Sequence, residues 1–208
     1  VAGLMEAMGG RDAFAAALDD VLARRPEICE RDRRGMYHEM REMMLADMGQ
    51  YAHGNQPAQH MLYLYDWCGQ PWKTQHWVRE TMDRLYSPSP DGYCGDEDNG
   101  QTSAWYIFSA LGFYPVCPAS NEYVLGAPLF KRAAVHLENG NTFTVEAPDN
   151  NHRNIYIGRM LLNGKEYPIR GVVLHRDRAL RGSAVTDREV LEDVEFAREM
   201  GANTIRVV

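Results

Sequence analysis

With 208 residues, 45% of them hydrophobic and 10% aromatic, the chain can bury one large or two small packed cores. Its formal charge of −7 is spread without a basic stripe, which argues against nucleic acid and anionic membrane surfaces and favours neutral or cation-bridged ligands. No apolar run reaches membrane-spanning length, so membrane insertion is not expected, and the start Val1-Ala2-Gly3, without Met or a signal-peptide profile, predicts a truncated N-terminus that says nothing of compartment.

Up to about Gly112 the chain reads as helices. Arg11 to Arg25 places Phe14, Leu18, Val21 and Leu22 on one face after Gly9-Gly10. Met36 to Met48 repeats the pattern with Met36, Met40, Met43, Met44 and Met48, a stripe most simply read as core filling. Two segments open with proline at the first helical position: Pro57 before His60 to Cys68, and Pro71 before Trp72 to Tyr86. Gly69 and the cluster Ser87-Pro88-Ser89-Pro90-Asp91-Gly92 end them. A further helix, Gln101 to Leu111, stops at Gly112, and the short connections predict antiparallel helix pairs, as in bundles or helical barrels.

From Tyr114 the punctuation changes. Strand-like runs at Glu122 to Leu125, Ala133 to Leu137, Thr142 to Glu146 and Asn154 to Gly158, with a hairpin signal at Asn139-Gly140, predict a small antiparallel β region. After Asn163-Gly164 a strand Ile169 to Leu174, a polar helix Asp187 to Met200 and a strand Thr204 to Val208 follow in βαβ order. The fold class is α+β, with boundaries expected at 1–115, 116–165 and 166–208. Cys29, Cys68, Cys94 and Cys117 lie far apart, at neither zinc nor redox-dithiol spacing, and read as core thiols or at most one disulfide.

The chemistry concentrates in Gly95-Asp96-Glu97-Asp98-Asn99-Gly100-Gln101, where three carboxylates and two amides precede the apolar run Ser103 to Phe113. Such charge beside apolar sequence is costly unless a cation, a sugar or a proton transfer uses it; a solvated turn capping a helix is the plainer alternative. In an extended loop Asp96 and Asp98 point one way and Glu97 the other, so the two aspartates can hold Ca²⁺ or act as general base. An EF-hand does not fit: counted from Asp96, glycine stands at the fifth place and Ile107 at the twelfth.

A second polar loop, Tyr51-Ala52-His53-Gly54-Asn55-Gln56-Pro57, offers His53, Asn55 and Gln56 to sugar hydroxyls or a calcium shell, or else caps a helix. His38-Glu39 on the methionine-striped helix is a weaker candidate, by default a hydrogen-bonded pair. Most aromatics near these loops, and His60 and His76, read as core. There is no Gly-X-Ser-X-Gly elbow and no phosphate-cradling loop, which disfavours serine hydrolase and nucleotide chemistry.

Gly49 to Pro57, Gly69-Gln70-Pro71-Trp72-Lys73-Thr74-Gln75, Asp91 to Gln101 and Ser103 to Pro115 together resemble glycoside hydrolase family 92, the calcium-dependent inverting exo-α-mannosidases, over roughly Val1 to Lys165. The resemblance implies part of an (α/α)6 barrel joined to a β-sandwich-type region. It also implies Asp96 and Asp98 as catalytic bases, Ca²⁺ near Asn55, Gln56 and Asp98, and a mannose-containing glycan as substrate. His53 would bind substrate, and His38-Glu39 resembles the pair that contacts the leaving sugar and favours α-1,2 linkages. The family's general acid is a glutamate upstream of the segment matching Val1, so the chain is expected to be inactive without the N-terminal part of the enzyme, whose site would be periplasmic or secreted. A carbohydrate-binding remnant and a purely structural helical module are the alternatives. Leu162 to Val172, His175-Arg176-Asp177 and Gly201 to Arg206 resemble the start of the TIM barrel of glycoside hydrolase family 2, with a splice expected near Leu162 to Tyr167. A barrel lacking some helices leaves apolar surface uncovered, which predicts poor solubility.

Overall fold

The computed structural model describes residues 1–26, 36–120, 122–166, 171–174 and 204–207. These fall into two units, Val1–Ile157 and Gly158–Val208. The first contains five α-helices among its described residues: α1 (Ala2–Ala7), α2 (Arg11–Ala23), α3 (His38–Ala46), α4 (Pro71–Leu85) and α5 (Gln101–Leu111). Two strand pairs follow, β1 (Phe113–Tyr114) with β2 (Val124–Leu125) and β3 (Arg132–His136) with β4 (Thr142–Glu146), both antiparallel. In the second unit β5 (Leu161–Leu162) pairs antiparallel with β6 (Lys165–Glu166), and β7 (Gly171–Leu174) pairs parallel with β8 (Thr204–Val207). The expected α+β class holds. The predicted helix Asp187 to Met200 and Cys29 lie outside the described residues.

Local signals fix the best-defined elements. Pro71 starts α4 at the position where a missing N–H costs nothing. Gly112 closes α5 with φ 94°, and its amide returns to the carbonyls of Phe108 and Ser109. The face predicted for α2 is buried through Phe14, Leu18 and Leu22. The β3–β4 hairpin runs in register from Arg132–Glu146 to His136–Thr142, and Gly140 takes the left-handed conformation its turn needs.

Three expectations give way. The segment expected as a helix from Pro57 through Cys68 forms two 3₁₀ turns, Gln56–Ala58 and Met61–Asp66. Its consecutive residues Leu62, Tyr63, Leu64 and Tyr65 are all buried, because the strand of chain runs between α2, α4 and β2 and has no solvent face for an amphipathic helix to present. Asn154 to Gly158 is not a strand: the Ile157 amide bonds to Gln75 Oε1 instead of a neighbouring strand. The methionine stripe is only partly core, since Met48 is buried while Met44 is exposed.

The core gathers Phe14, Leu18 and Leu22 with Leu62 to Tyr65, Val78, Met82 and Trp105. Polar ties lock it. Asp19 receives Lys73 Nζ at 2.6 and 2.8 Å and the Tyr65 hydroxyl at 2.9 Å, joining α2, the second 3₁₀ turn and α4. Buried Arg79 reaches from α4 to the Pro128 carbonyl and Asn150 Oδ1, both at 2.7 Å, anchoring the segments that flank the hairpin. Cys68, Cys94 and Cys117 are free thiols.

Candidate functional site

Two loops meet in front of α5: residues 51–57, which run into the first 3₁₀ turn, and residues 93–100, which run into the helix. Gly54 and Gly95 cross backbone to backbone, so closely that a Cβ on Gly95 would lie 2.6 Å from Gly54 Cα. Side chains stitch the crossing. The Asp96 carbonyl accepts Gln56 Nε2 and Thr102 Oγ1, each at 3.0 Å, and Gln59 Nε2 bonds the Thr102 hydroxyl at 3.1 Å and the His53 carbonyl at 3.3 Å. Trp105 Nε1 donates to the Gln59 carbonyl at 3.0 Å, which ties the crossing to the centre of α5.

His53 lies in the core, only 1% exposed. Nδ1 and Nε2 each meet a tyrosine hydroxyl at 2.7 Å, Tyr51 and Tyr86 respectively, and the ring stands edge-on to Trp105 at 4.3 Å. Burial pushes its pKa down to about 3, so it is a neutral ring with both nitrogens used. That leaves no nitrogen for a sugar hydroxyl; what His53 does here is hold the loop.

Glu97 turns back onto α5, taking the Gly100 amide at 2.7 Å and the Ser103 amide at 3.4 Å. Hydrogen bonds from Ser103 and the Gly100 amide hold its carboxyl below the usual range. Glu97 therefore takes first-turn amides of α5 from outside the helix, whose N-cap residue is Gly100, while Asp96 and Asp98 are exposed. Asp98 and Asn99 have φ 56° and 55°, so the loop is not extended there. The side chains of Asn55 and Asp98 and the Gln56 Oε1 make no hydrogen bond among the described residues.

Helix α3 supplies the third side. His38 Nε2 stands 3.4 Å from Glu39 Oε1 and 3.9 Å from Asp96 Oδ2, and Nδ1 stands 3.9 Å from Glu42 Oε1. The structure thus brings His38, Glu39 and Asp96 together and joins the loop of Asn55 and Gln56 to that of Asp96 and Asp98. Glu42 is an addition: its only sequence signal is a position four residues beyond His38, the spacing that shares a helix face. Among the described residues no group of three or more His, Cys, Asp or Glu is arranged to hold a metal by itself.

Residues 1–186 match the model of the glycosyl hydrolase family 92 catalytic domain. The fold resembles a family 92 inverting mannosidase from Bacteroides thetaiotaomicron VPI-5482, with 52% identity and a TM-score of 0.65 over 79% of this chain and 22% of that one. A family 92 α-mannosidase from Bacteroides thetaiotaomicron is 35% identical at a TM-score of 0.64, over 76% of this chain and 19% of the other. An uncharacterized secreted glycosidase from Arthroderma benhamiae is 27% identical over 167 residues, 79% of this chain and 18% of that protein. The chain thus spans about a fifth of the length of these relatives. A shorter match, to a β-glucuronidase from Bacteroides fragilis, is 50% identical over 46 residues, 22% of this chain and 7% of that protein. Because the family 92 model runs on to residue 186, past Leu162 to Tyr167, the expected change to family 2 at that point is not borne out.

Proposed function

The chain belongs to glycosyl hydrolase family 92, and from that premise we propose that it forms the base side of an inverting exo-α-mannosidase site. The observation that carries this reading is the crossing at Gly54 and Gly95, which lays the loop bearing exposed Asp96 and Asp98 against the loop bearing Asn55 and Gln56, with Asp96 Oδ2 3.9 Å from His38 Nε2. In an inverting reaction a carboxylate removes a proton from the attacking water while an acid on the opposite face protonates the leaving oxygen, with roughly 6.5–9.5 Å between the two carboxyl groups. Asp96 and Asp98 are the bases of this reading, and the acid comes from the enzyme beyond these 208 residues, so the chain is not expected to turn over mannosides alone.

The donor set suits Ca²⁺. The side chains of Asn55, Gln56 and Asp98 offer oxygens that accept no hydrogen bond from the described residues, and the Gln56 amide nitrogen, bonded to the Asp96 carbonyl, leaves Oε1 available. When bound, the ion would polarise and orient hydroxyls of the terminal mannose. His38-Glu39, at the edge of the site, fits a contact with the leaving sugar and a preference for α-1,2 linkages. Location outside the cytoplasm agrees with the secreted relative.

The test is kinetic. In the full-length enzyme, Asp96→Asn or Asp98→Asn, whichever removes the base, is expected to lower kcat on p-nitrophenyl α-mannoside or an α-1,2-mannobiose by about 10²–10⁴-fold with KM little changed. Near wild-type kcat in both variants would end the assignment.

A further inference from the structure

Among the described residues, three buried side-chain atoms lack a hydrogen-bond partner: Glu42 Oε2, Asp66 Oδ2 and Arg79 Nε. Of these, Glu42 Oε2 adjoins the candidate site. A methyl on Gly54 would sit 2.6 Å from Glu42 Oε2 and 2.9 Å from the Cys94 carbonyl oxygen. A methyl on Gly95 would sit 2.8 Å from the Gly54 carbonyl oxygen and 2.9 Å from the same Oε2. Three acceptor oxygens therefore crowd the point where the two loops cross. A negative charge on the buried Oε2 would face carbonyl lone pairs; a proton there turns one acceptor into a donor.

The surroundings favour that proton. Burial raises the Glu42 pKa most, and the Asp96 and Glu39 carboxylates push the same way. Among the described residues His38, with Nδ1 3.9 Å from Oε1, opposes it when protonated. The Cys94 thiol also interacts with Glu42 and is itself pushed up to about 11 by burial; from the 51–57 loop the Gly54 backbone approaches Glu42, while His53 lies in the core.

We propose that Glu42 is the positioning residue of the site: it stands as a neutral carboxylic acid whose Oε2–H donates to a backbone carbonyl of the crossing, Cys94 O or Gly54 O, and clasps the loop of Asn55 and Gln56 to the loop of Asp96 and Asp98. Glu42 sets the spacing between the amide oxygens on one loop and the carboxylates on the other, and its Oε1 faces His38. The relevance of the clasp to catalysis rests on the mannosidase reading, but its existence does not.

Hydrogen exchange on the 208-residue protein separates the two. E42Q keeps the shape and a donor; E42A keeps neither. Peptides covering 51–57 and 93–100 are expected to exchange within about twofold of wild type in E42Q and about tenfold or more faster in E42A, with α4 and α5 unchanged. Calcium titration by calorimetry should follow the same order: Kd unchanged in E42Q and weakened about tenfold or more in E42A, with D98A as the variant that loses the ion directly. That change, with helix protection intact, is one that a merely stabilising residue would not produce. Should E42A loosen the helices too, E42Q alone decides, because loops as protected as wild type support the clasp. Loops that open in E42Q, or stay closed in a folded E42A, overturn it. Absence of calcium heat in the wild type removes the calcium assignment, while the exchange rates still decide the clasp.

Discussion

At the scale of single residues, burial has pushed two ionisable groups in opposite directions. His53 is held neutral, its pKa lowered to about 3, and Asp66 at the end of the second 3₁₀ turn is raised to about 7, chiefly by burial and partly offset by Thr74. A depressed histidine stabilises the fold above its unfolded pKa, and that contribution falls away as pH drops from about 6.5 towards 3. A raised carboxyl works the other way: it stabilises fully below about 3.8, and the advantage is lost as pH climbs towards 7. Between those limits the two slopes partly cancel. Replacing Asp66 by Asn removes only the second. Urea midpoints for Asp66→Asn should match wild type near pH 4 and exceed it at pH 8 by an amount worth about 1–3 kcal/mol. Equal midpoints at both pH values would mean that the folded state ionises Asp66 freely.

Elements show where sequence is informative and where it stops. Helices α4 and α5 and the β3–β4 hairpin were legible because their ends are written locally, in Pro71, Gly112 and Asn139-Gly140. The 3₁₀ character of Met61–Asp66 was not, since it follows from burial by elements distant in sequence. The site divides the same way. Clustered polar residues marked both loops and let Asp96, Asp98, Asn55 and Gln56 be picked out, but the burial of His53 depends on Tyr86, thirty-three positions away, and Glu42 matters only because two loops cross beside it. The crossing itself makes a prediction. A Cβ at Gly95 meets backbone atoms of Gly54 at 2.6 and 2.8 Å, and backbone cannot swing aside as a side chain can. Gly95→Ala should therefore cost about 1–3 kcal/mol by chemical denaturation, and adding Glu42→Ala should not recover it. By contrast, a Cβ on Gly3 in α1 meets nothing within 4 Å, so Gly3→Ala should be neutral or slightly stabilising. A tolerated Gly95→Ala would show that the two loops can separate at little cost.

For the molecule as a whole, the balance between a net charge of −7 and uncovered apolar side chains governs behaviour in solution. Scattered exposed hydrophobics are ordinary on any protein surface. Around α3 they gather: Leu45 is 85% exposed and Met44 47% near the end of the helix, and Tyr37, just before its start, is 75% exposed. The buried part of that helix is small, with Ala46 its one buried residue, so α3 is held to unit 1 by less apolar contact than α4, which buries Val78 and Met82. A helix exposing leucine and methionine, preceded by an exposed tyrosine and only weakly fastened on its inner side, favours association between copies over a lone monomer. The sedimentation profile of the 208-residue chain should shift to larger species as concentration rises from about 5 to 200 μM, and Leu45→Glu combined with Met44→Glu should return it towards monomer. Both positions point to solvent, so Tm should move by no more than the small amount usual for surface substitutions. A double variant that associates as strongly as wild type would place the sticky surface elsewhere, with exposed Ile107 on α5 the next position to change.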